Sequence, residues 1–148
     1  MRELIIIALF ATVGYAAEPP QVISCPAWSQ DRACFKRDTI YFGTGSSRLR
    51  QDSKQRVAEV ASFLKSHPSA ALLVEGYCDD RGSEEHNRWL GDRRARAAAR
   101  HVFRMGIAAE RIDSISFGED KPVDPGHSAE ARQKNRRVEF VLLTPPKL

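Results

Sequence analysis

The 148-residue chain has only three cysteines, four histidines and a single long apolar run. The histidines His86, His101 and His127 have no metal-ligand spacing to Cys78, so we expect no metal site and no cofactor. No Ser/His/Asp or Cys/His constellation is evident, which argues against a nucleophilic enzyme. No segment of the sequence, the N-terminal apolar run included, is apolar for long enough to cross a membrane.

The chain also lacks a strong charge of either sign. It has 23 basic and 19 acidic residues, a formal net charge of +4, and removal of Arg2 and Glu3 leaves this value unchanged. Such a mild excess fits an anionic cell wall or membrane surface without establishing either. Arg96, Arg100 and Arg104 repeat every four residues, but a solvated helix face explains them better than a nucleic-acid-binding stripe.

The apolar run lies at the N-terminus, where Leu4 to Val13 follow Arg2 and precede the small residues of Gly14 to Ala17. This order is typical of a secretory signal peptide, and it is too short for a membrane span. We therefore expect residues 1–17 to be a signal peptide, cleaved after Ala16 or Ala17. We therefore expect an exported protein, and export argues against a nucleic-acid partner.

Residues 18–38 are predicted to be a short, irregular linker that contains Cys25 and Cys34. In an oxidising compartment these two cysteines can close a short loop as a disulfide, which leaves Cys78 as the odd thiol. Val22-Ile23-Ser24-Cys25 loosely resembles a lipidation motif. The apolar run ends well before Cys25, so soluble secretion is favoured over a lipid anchor, and both interpretations stay open.

Hydrophobic periodicity and turn residues predict one domain over residues 39–144. Its elements are strands at Thr39–Phe42, Ala71–Cys78, Arg111–Phe117 and Arg137–Leu143, helices at Gln51–Ser66 and from Ser83 to about Met105, and a helical turn at Ala129–Lys134. The order β-α-β-α-β-β implies an α/β (α+β) two-layer sandwich with a mixed four-stranded sheet.

Polar residues cluster where the second predicted strand ends. Asp79 follows that strand, and Asn87 and Arg94 lie seven residues apart on one stripe of the next helix. This stripe can face the strand end, so that a carboxylate, an amide and a guanidinium surround one crevice. A ligand with both an ammonium and a carboxylate group would suit it. Asp80 is interpreted as a turn residue.

The start of the last strand adds a further candidate. Arg136 shares its strand parity with the apolar Val138 and Phe140, so it is predicted at the end of the sheet, above the core and near the crevice. Arg137 and Glu139 share the opposite face and are predicted to pair.

These residues carry a family resemblance. The pattern G-Y-x-D-x-x-G-x-x-x-x-N-x-x-L-x-x-x-R-A starts at Gly76, and N-R-R-V-E follows at Asn135. Ile40-Tyr41-Phe42 and Phe117-Gly118-Glu119 also match, and the likeness covers about residues 39–143. The chain is identified from these matches as similar to the OmpA-like peptidoglycan-binding domain family.

The resemblance implies a non-catalytic module of the periplasm or outer membrane of a Gram-negative cell. Its partner would be peptidoglycan, together with outer-membrane or other envelope proteins. Asp79 would accept the ammonium of diaminopimelate in the stem peptide, and Arg94 would hold its carboxylate in two parallel hydrogen bonds. Asn87 could hydrogen-bond the ligand or brace the loop, and both interpretations stay open, while Arg136 is predicted to lie near the site. Cys78 departs from the family, which usually has threonine or alanine there, and a thiol is a weaker hydrogen-bond partner than a hydroxyl.

A wall-cleaving hydrolase is the alternative. Asp79, Asp80, Glu84 and Glu85 could supply the paired carboxylates of glycoside cleavage. A general acid needs an apolar pocket that raises its pKa, whereas this loop is polar and rich in arginine. The sequence therefore favours binding without catalysis.

Overall fold

The computed structural model describes residues 33–144, with side chains from 38 to 143. The elements in chain order are β1 (Ala33–Tyr41), α1 (Gln51–Ser66), β2 (Ala71–Tyr77), α2 (Glu84–Arg104), β3 (Ile112–Gly118), α3 (Ala129–Asn135) and β4 (Arg137–Thr144). The predicted signal peptide, Cys25 and the Cys34 side chain lie outside the described residues. Cleavage, the Cys25–Cys34 disulfide and lipidation therefore stay predictions.

The four strands form one mixed sheet in the order β1-β4-β2-β3. β4 pairs antiparallel with both of its neighbours, and β2 pairs parallel with β3. The predicted two-layer α/β architecture with a mixed four-stranded sheet is confirmed. No helix among the described residues has the length and apolarity needed to cross a membrane.

The first strand differs from its prediction at both ends, since β1 runs from Ala33 to Tyr41 rather than from Thr39 to Phe42. Residues 33–38, predicted to be irregular linker, pair with β4, where Cys34 lies opposite Leu143. The register shifts between Lys36 and Asp38. Charged residues and a bulge are tolerated in an edge strand, and they remove the alternating pattern by which a strand is recognised.

Both long helices contribute to the main core. The apolar stripe of α1 is buried at Val57, Val60, Ala61 and Leu64. Ala95, Ala98 and Val102 of α2 join the same cluster, with apolar residues of β1, β2 and β4. Each fully buried aliphatic side chain contributes about 1.5–3 kcal/mol of transfer free energy, so this layer fixes the helices against the sheet.

A pair of glycines sets how closely α2 approaches β2. A Cβ atom on Gly76 of β2 would lie 2.0 Å from the carbonyl oxygen of Gly91 in α2. A Cβ atom on Gly91 would lie 2.3 Å from Ser116 Oγ. The two backbones therefore touch, which aims the α2 face of Asn87 and Arg94 at the end of β2.

The opposite face of the sheet carries a buried polar network at the end of β2. Arg137 Nε donates to Glu139 Oε1 at 2.7 Å, which confirms the predicted pair. The Arg137 guanidinium also lies 3.8 Å from the centroid of the Tyr77 ring, and Tyr77 Oη donates to Glu75 Oε2 at 2.6 Å. Burial raises the pKa of Tyr77, so the phenol stays protonated. These contacts fix Tyr77, the residue that directly precedes Cys78 and the candidate site.

Candidate functional site

A cleft of about 220 Å³ opens where β2 ends and α2 begins. Its volume is below the 300–1,000 Å³ typical of cofactor and drug sites, so it suits one side chain of a larger ligand. It is lined by Thr44, Gly45, Cys78, Asp79, Arg81, Gly82, His86, Asn87, Leu90, Arg94 and Arg136. All five residues predicted for ligand binding, Cys78, Asp79, Asn87, Arg94 and Arg136, thus line one cleft.

The turn between β2 and α2 holds Asp79 in place. Gly82 has a φ of +104°, a left-handed conformation that favours glycine, and it lets the chain reverse into the helix. Ser83 caps α2 by accepting a hydrogen bond from the His86 amide at 3.2 Å. The Arg81 amide donates to Asp79 Oδ1 at 3.1 Å and fixes the carboxylate.

Asp79 itself is buried and ion-paired. Arg136 Nη1 lies 2.9 Å from Asp79 Oδ2, and both side chains are only 8% exposed. Arg136 Nε also donates to the Phe42 carbonyl oxygen at 3.2 Å. The parity argument that placed Arg136 near the crevice is therefore confirmed. Asp79 reaches the cleft already partly neutralised, and each of its oxygens can accept a further hydrogen bond.

Arg94 has no exposed surface, although it lines the cleft. Its Nε donates to Ser46 O at 2.8 Å, Nη2 to Gly43 O at 3.0 Å, and Nη1 to Tyr77 O at 2.9 Å and to Cys78 Sγ at 3.4 Å. A guanidinium has five N–H groups, so these contacts leave one on Nη2. To hold a carboxylate in the two parallel hydrogen bonds predicted for it, Arg94 would have to give up one of the two contacts of Nη1, of which the longer is the one to Cys78 Sγ.

Asn87 is buried and braces the loop. Its Nδ2 donates to the Asp79 carbonyl oxygen at 3.2 Å and to Glu119 Oε2. Bracing and ligand binding were both open from the sequence, and the structure shows the bracing contacts. Because both amide hydrogens are engaged, any contact from Asn87 to a ligand would come from its oxygen.

Cys78 stands between the strand and Arg94. Its thiol donates to the Asn87 carbonyl oxygen at 3.2 Å and accepts from Arg94 Nη1. Burial raises the pKa of Cys78 to about 11, so the thiol is neutral at physiological pH. The thiol therefore packs as a neutral group between the Asn87 carbonyl oxygen and the Arg94 guanidinium.

The formal charge of the cleft favours an anionic ligand. Its lining contains three arginines, Arg81, Arg94 and Arg136, against the single carboxylate of Asp79. Burial lowers the pKa of Arg94, but an arginine stays protonated at any physiological pH. A ligand with one ammonium and more than one carboxylate would complement this lining.

The sequence did not single out Arg81, His86 or Glu119 as site residues. Arg81 Nε lies 4.0 Å from Asp79 Oδ2, with its side chain 53% exposed at the rim. Its place directly before the Gly82 turn is the one sequence feature that could have identified Arg81 as a site residue. Glu119 reaches Asn87 from the loop after β3, 32 residues away in sequence, and no local pattern reveals such a contact.

Asp80 takes the structural role expected of it. Arg132 Nε donates to Asp80 Oδ1 at 2.7 Å, and His127 contacts Oδ2. The Arg132 hydrogen bond is the main cause of a lowered Asp80 pKa. The carboxylate is absent from the cleft lining and ties the β2–α2 turn to α3.

A larger cleft of about 360 Å³ contains none of the predicted residues. Its lining is Tyr41, Arg50, Asp52, Ser53, Arg56, Gln133 and Lys134. Its cations are already paired: Arg56 with Asp38 and Lys134 with Asp124 at 2.8 Å, and Arg50 with Asp52 at 3.6 Å. Between residues 33 and 144, no group of three or more His, Cys, Asp or Glu residues is placed to hold a metal ion.

Comparison with known proteins identifies the family of the chain. Residues 41–136 match the model of the OmpA family. The chain is 37% identical over 117 residues to peptidoglycan-associated lipoproteins of Agrobacterium fabrum and Mesorhizobium japonicum, which covers 79% of this chain and 66% and 70% of theirs. The crystal structure of the peptidoglycan-associated lipoprotein from Burkholderia pseudomallei superposes with a TM-score of 0.70 at 32% identity, covering 72% of this chain and 90% of that one. The chain belongs to the OmpA family.

Proposed function

We propose that this protein is a non-catalytic module that binds peptidoglycan through the diaminopimelate of the stem peptide and so anchors the cell envelope to the wall. One observation carries the proposal: a buried carboxylate and three guanidinium groups line a single cleft the size of one side chain. The names of the relatives, which associate them with peptidoglycan, support the same ligand class.

In the proposed complex the ammonium of diaminopimelate binds Asp79. The carboxylate of the same side chain accepts the remaining Nη2 hydrogen bond of Arg94, and the exposed Arg81 at the rim supplies a second donor. Charge-assisted hydrogen bonds of this kind are about twice as strong as neutral ones. Arg136 keeps Asp79 in position from the other side.

The proposed location follows from the same ligand. Peptidoglycan lies outside the inner membrane, so the protein works in the periplasm or at the outer membrane after export by its predicted signal peptide. Relatives named as lipoproteins keep the lipid anchor at Cys25 open beside the Cys25–Cys34 disulfide. Envelope proteins remain proposed partners.

Binding to two kinds of sacculus, which differ in the third amino acid of the stem peptide, tests the proposal. The purified protein should pellet with sacculi that contain diaminopimelate and should bind sacculi that contain lysine at that position at least about tenfold more weakly. Lysine keeps the ammonium for Asp79 but lacks the carboxylate, and the loss of one charged hydrogen bond costs about 1.5–3 kcal/mol. Equal pelleting with both kinds of sacculus would refute the assignment of the side chain.

The hydrolase remains the alternative function. The surroundings of the carboxylates at the site argue against it. Asp79 is ion-paired, the pKa of Asp80 is lowered, and Glu84 is exposed and lies 3.0 Å from Arg88. None of the three has the apolar surroundings that keep a general acid protonated. Soluble muropeptides released from sacculi by the protein, but not by an Asp79→Asn or Glu84→Gln variant, would establish the hydrolase instead.

A further inference from the structure

An exposed aromatic and basic cluster continues from the rim of the cleft along α2. His86 lines the cleft, and Trp89 and Arg93 follow at the helical spacings of three and four residues that place side chains side by side. All three are exposed. We call His86, Trp89 and Arg93 the rim platform.

The platform is ordered by contacts among its own members. The Arg93 Cζ atom lies 4.7 Å from the centroid of the Trp89 ring, and the His86 and Trp89 ring centroids are 5.9 Å apart. Trp89 nevertheless remains 52% exposed. No carboxylate among residues 38–143 lies within ion-pair distance of Arg93, so its hydrogen-bond donors remain available.

A half-exposed indole beside an unpaired guanidinium suits one ligand chemistry well. A pyranose ring presents an apolar C–H face that packs on an aromatic ring, and hydroxyl and acetamido oxygens that accept hydrogen bonds at its edge. Arg93 can supply those bonds without leaving the indole. A purely apolar partner would leave the guanidinium buried without an acceptor, which is costly.

The distances fit a sugar that is joined to the peptide in the cleft. In peptidoglycan, two amino acids separate diaminopimelate from the lactyl group of the N-acetylated amino sugar. At about 3.3–3.6 Å per extended residue they span roughly 7 Å. His86 lines the cleft, and the centroid of the Trp89 ring lies 5.9 Å from the centroid of the His86 ring. The span of the two amino acids exceeds this distance, so a stem peptide that leaves the cleft at His86 is long enough to bring its sugar to Trp89.

We infer that the rim platform is a saccharide subsite that binds the N-acetylated amino sugar next to the stem peptide, with Trp89 as the stacking surface and Arg93 as the hydrogen-bond donor. This inference rests on the proposed function, because the peptide in the cleft determines which sugar reaches the platform. The protein then recognises both the sugar and the peptide of the wall, rather than the peptide alone.

Calorimetry with two defined ligands tests the subsite. The probes are the stem tripeptide that ends in diaminopimelate and the same tripeptide carrying its disaccharide. The full mature chain should bind the glycopeptide about 3- to 10-fold more tightly, the range expected of one aromatic contact. Trp89→Ala should abolish this difference without changing the affinity for the free tripeptide, and Trp89→Phe should retain part of it.

Phe103→Ala provides a matched control. Phe103 is 54% exposed on the same helix, but it lies 14 residues from Trp89, or roughly 21 Å along the axis. This variant should bind both ligands as the unaltered protein does. In a Trp28→Phe background, where Trp89 is the remaining tryptophan, its emission should shift to the blue with the glycopeptide and stay unchanged with the tripeptide.

The outcomes separate the two proposals. Equal binding of both ligands by the unaltered protein, or an undiminished preference for the glycopeptide in Trp89→Ala, would overturn the saccharide subsite and leave the proposed function intact. Failure of the unaltered protein to bind either ligand would overturn the proposed function, and the saccharide subsite with it.

Discussion

Asp79→Asn is expected to lose at least about 30-fold in affinity for diaminopimelate-containing peptidoglycan. The amide keeps the shape of the carboxylate and can still accept the Arg81 amide hydrogen bond, but it removes the charge that attracts the ligand ammonium. Removal of one partner from a buried, hydrogen-bonded charge pair costs about 2–5 kcal/mol. Calorimetry with the stem tripeptide and pelleting with sacculi measure the loss.

The neighbouring carboxylate supplies the control for this experiment. Asp80→Asn makes the same change of charge one residue further on, outside the cleft lining, where the carboxylate binds Arg132 and His127. It should leave binding within about twofold of the unaltered protein. Asp79→Asn also leaves the buried Arg136 without its carboxylate, so thermal melting must show that the variant is folded at the temperature of the assay. Full binding by a folded Asp79→Asn variant would contradict the site.

Much of this cleft could be predicted because its residues follow regular periodicities. Asn87 and Arg94 lie two helical turns apart, so one stripe brings both to the end of β2. Strand parity placed Arg136 above the core and paired Arg137 with Glu139 on the opposite face. The boundaries of α1 agree with the prediction because an apolar stripe and a proline-containing stop define it. In each case the side chain's direction follows from the local backbone alone.

The parts that could not be predicted depend on contacts between distant segments. The carbonyl oxygens that hold Arg94 come from Gly43, Ser46 and Tyr77, and a carbonyl has no residue type to reveal it. Glu119 contacts Asn87 through its side chain across 32 residues, and no local pattern reveals a contact at that separation. The strand before Thr39 was missed because the charged residues of its bulged edge hide any alternation.

The enclosure of Arg94 changes what its replacement should do. From the sequence, Arg94 is expected to bind a ligand carboxylate. Its guanidinium instead joins the turn after β1, the end of β2 and α2, with no exposed surface. An ion bound by three backbone carbonyl groups in the protein interior is part of the structure that shapes the cleft. Loss of binding in an Arg94 variant would therefore follow from a disturbed cleft as well as from a lost ligand contact.

Arg94→Ala is accordingly expected to lower the free energy of unfolding by about 3 kcal/mol or more, because it leaves buried carbonyl groups without donors and opens a cavity. For a domain of this size, such a loss lowers Tm by roughly 10 °C or more. Arg94→Lys should be nearly as damaging, since one ammonium cannot reach carbonyl groups that approach the guanidinium from separate directions.

Arg100→Ala is the matched control, because Arg100 is exposed on the same helix and the substitution removes the same side chain. It should change the free energy of unfolding by no more than about 0.5 kcal/mol. Thermal and urea unfolding monitored by circular dichroism measure all three variants. If Arg94→Ala melted within about 2 °C of the unaltered protein and still failed to bind sacculi, the backbone contacts would contribute little to stability. Arg94 would then act on the ligand directly, as the sequence alone had indicated.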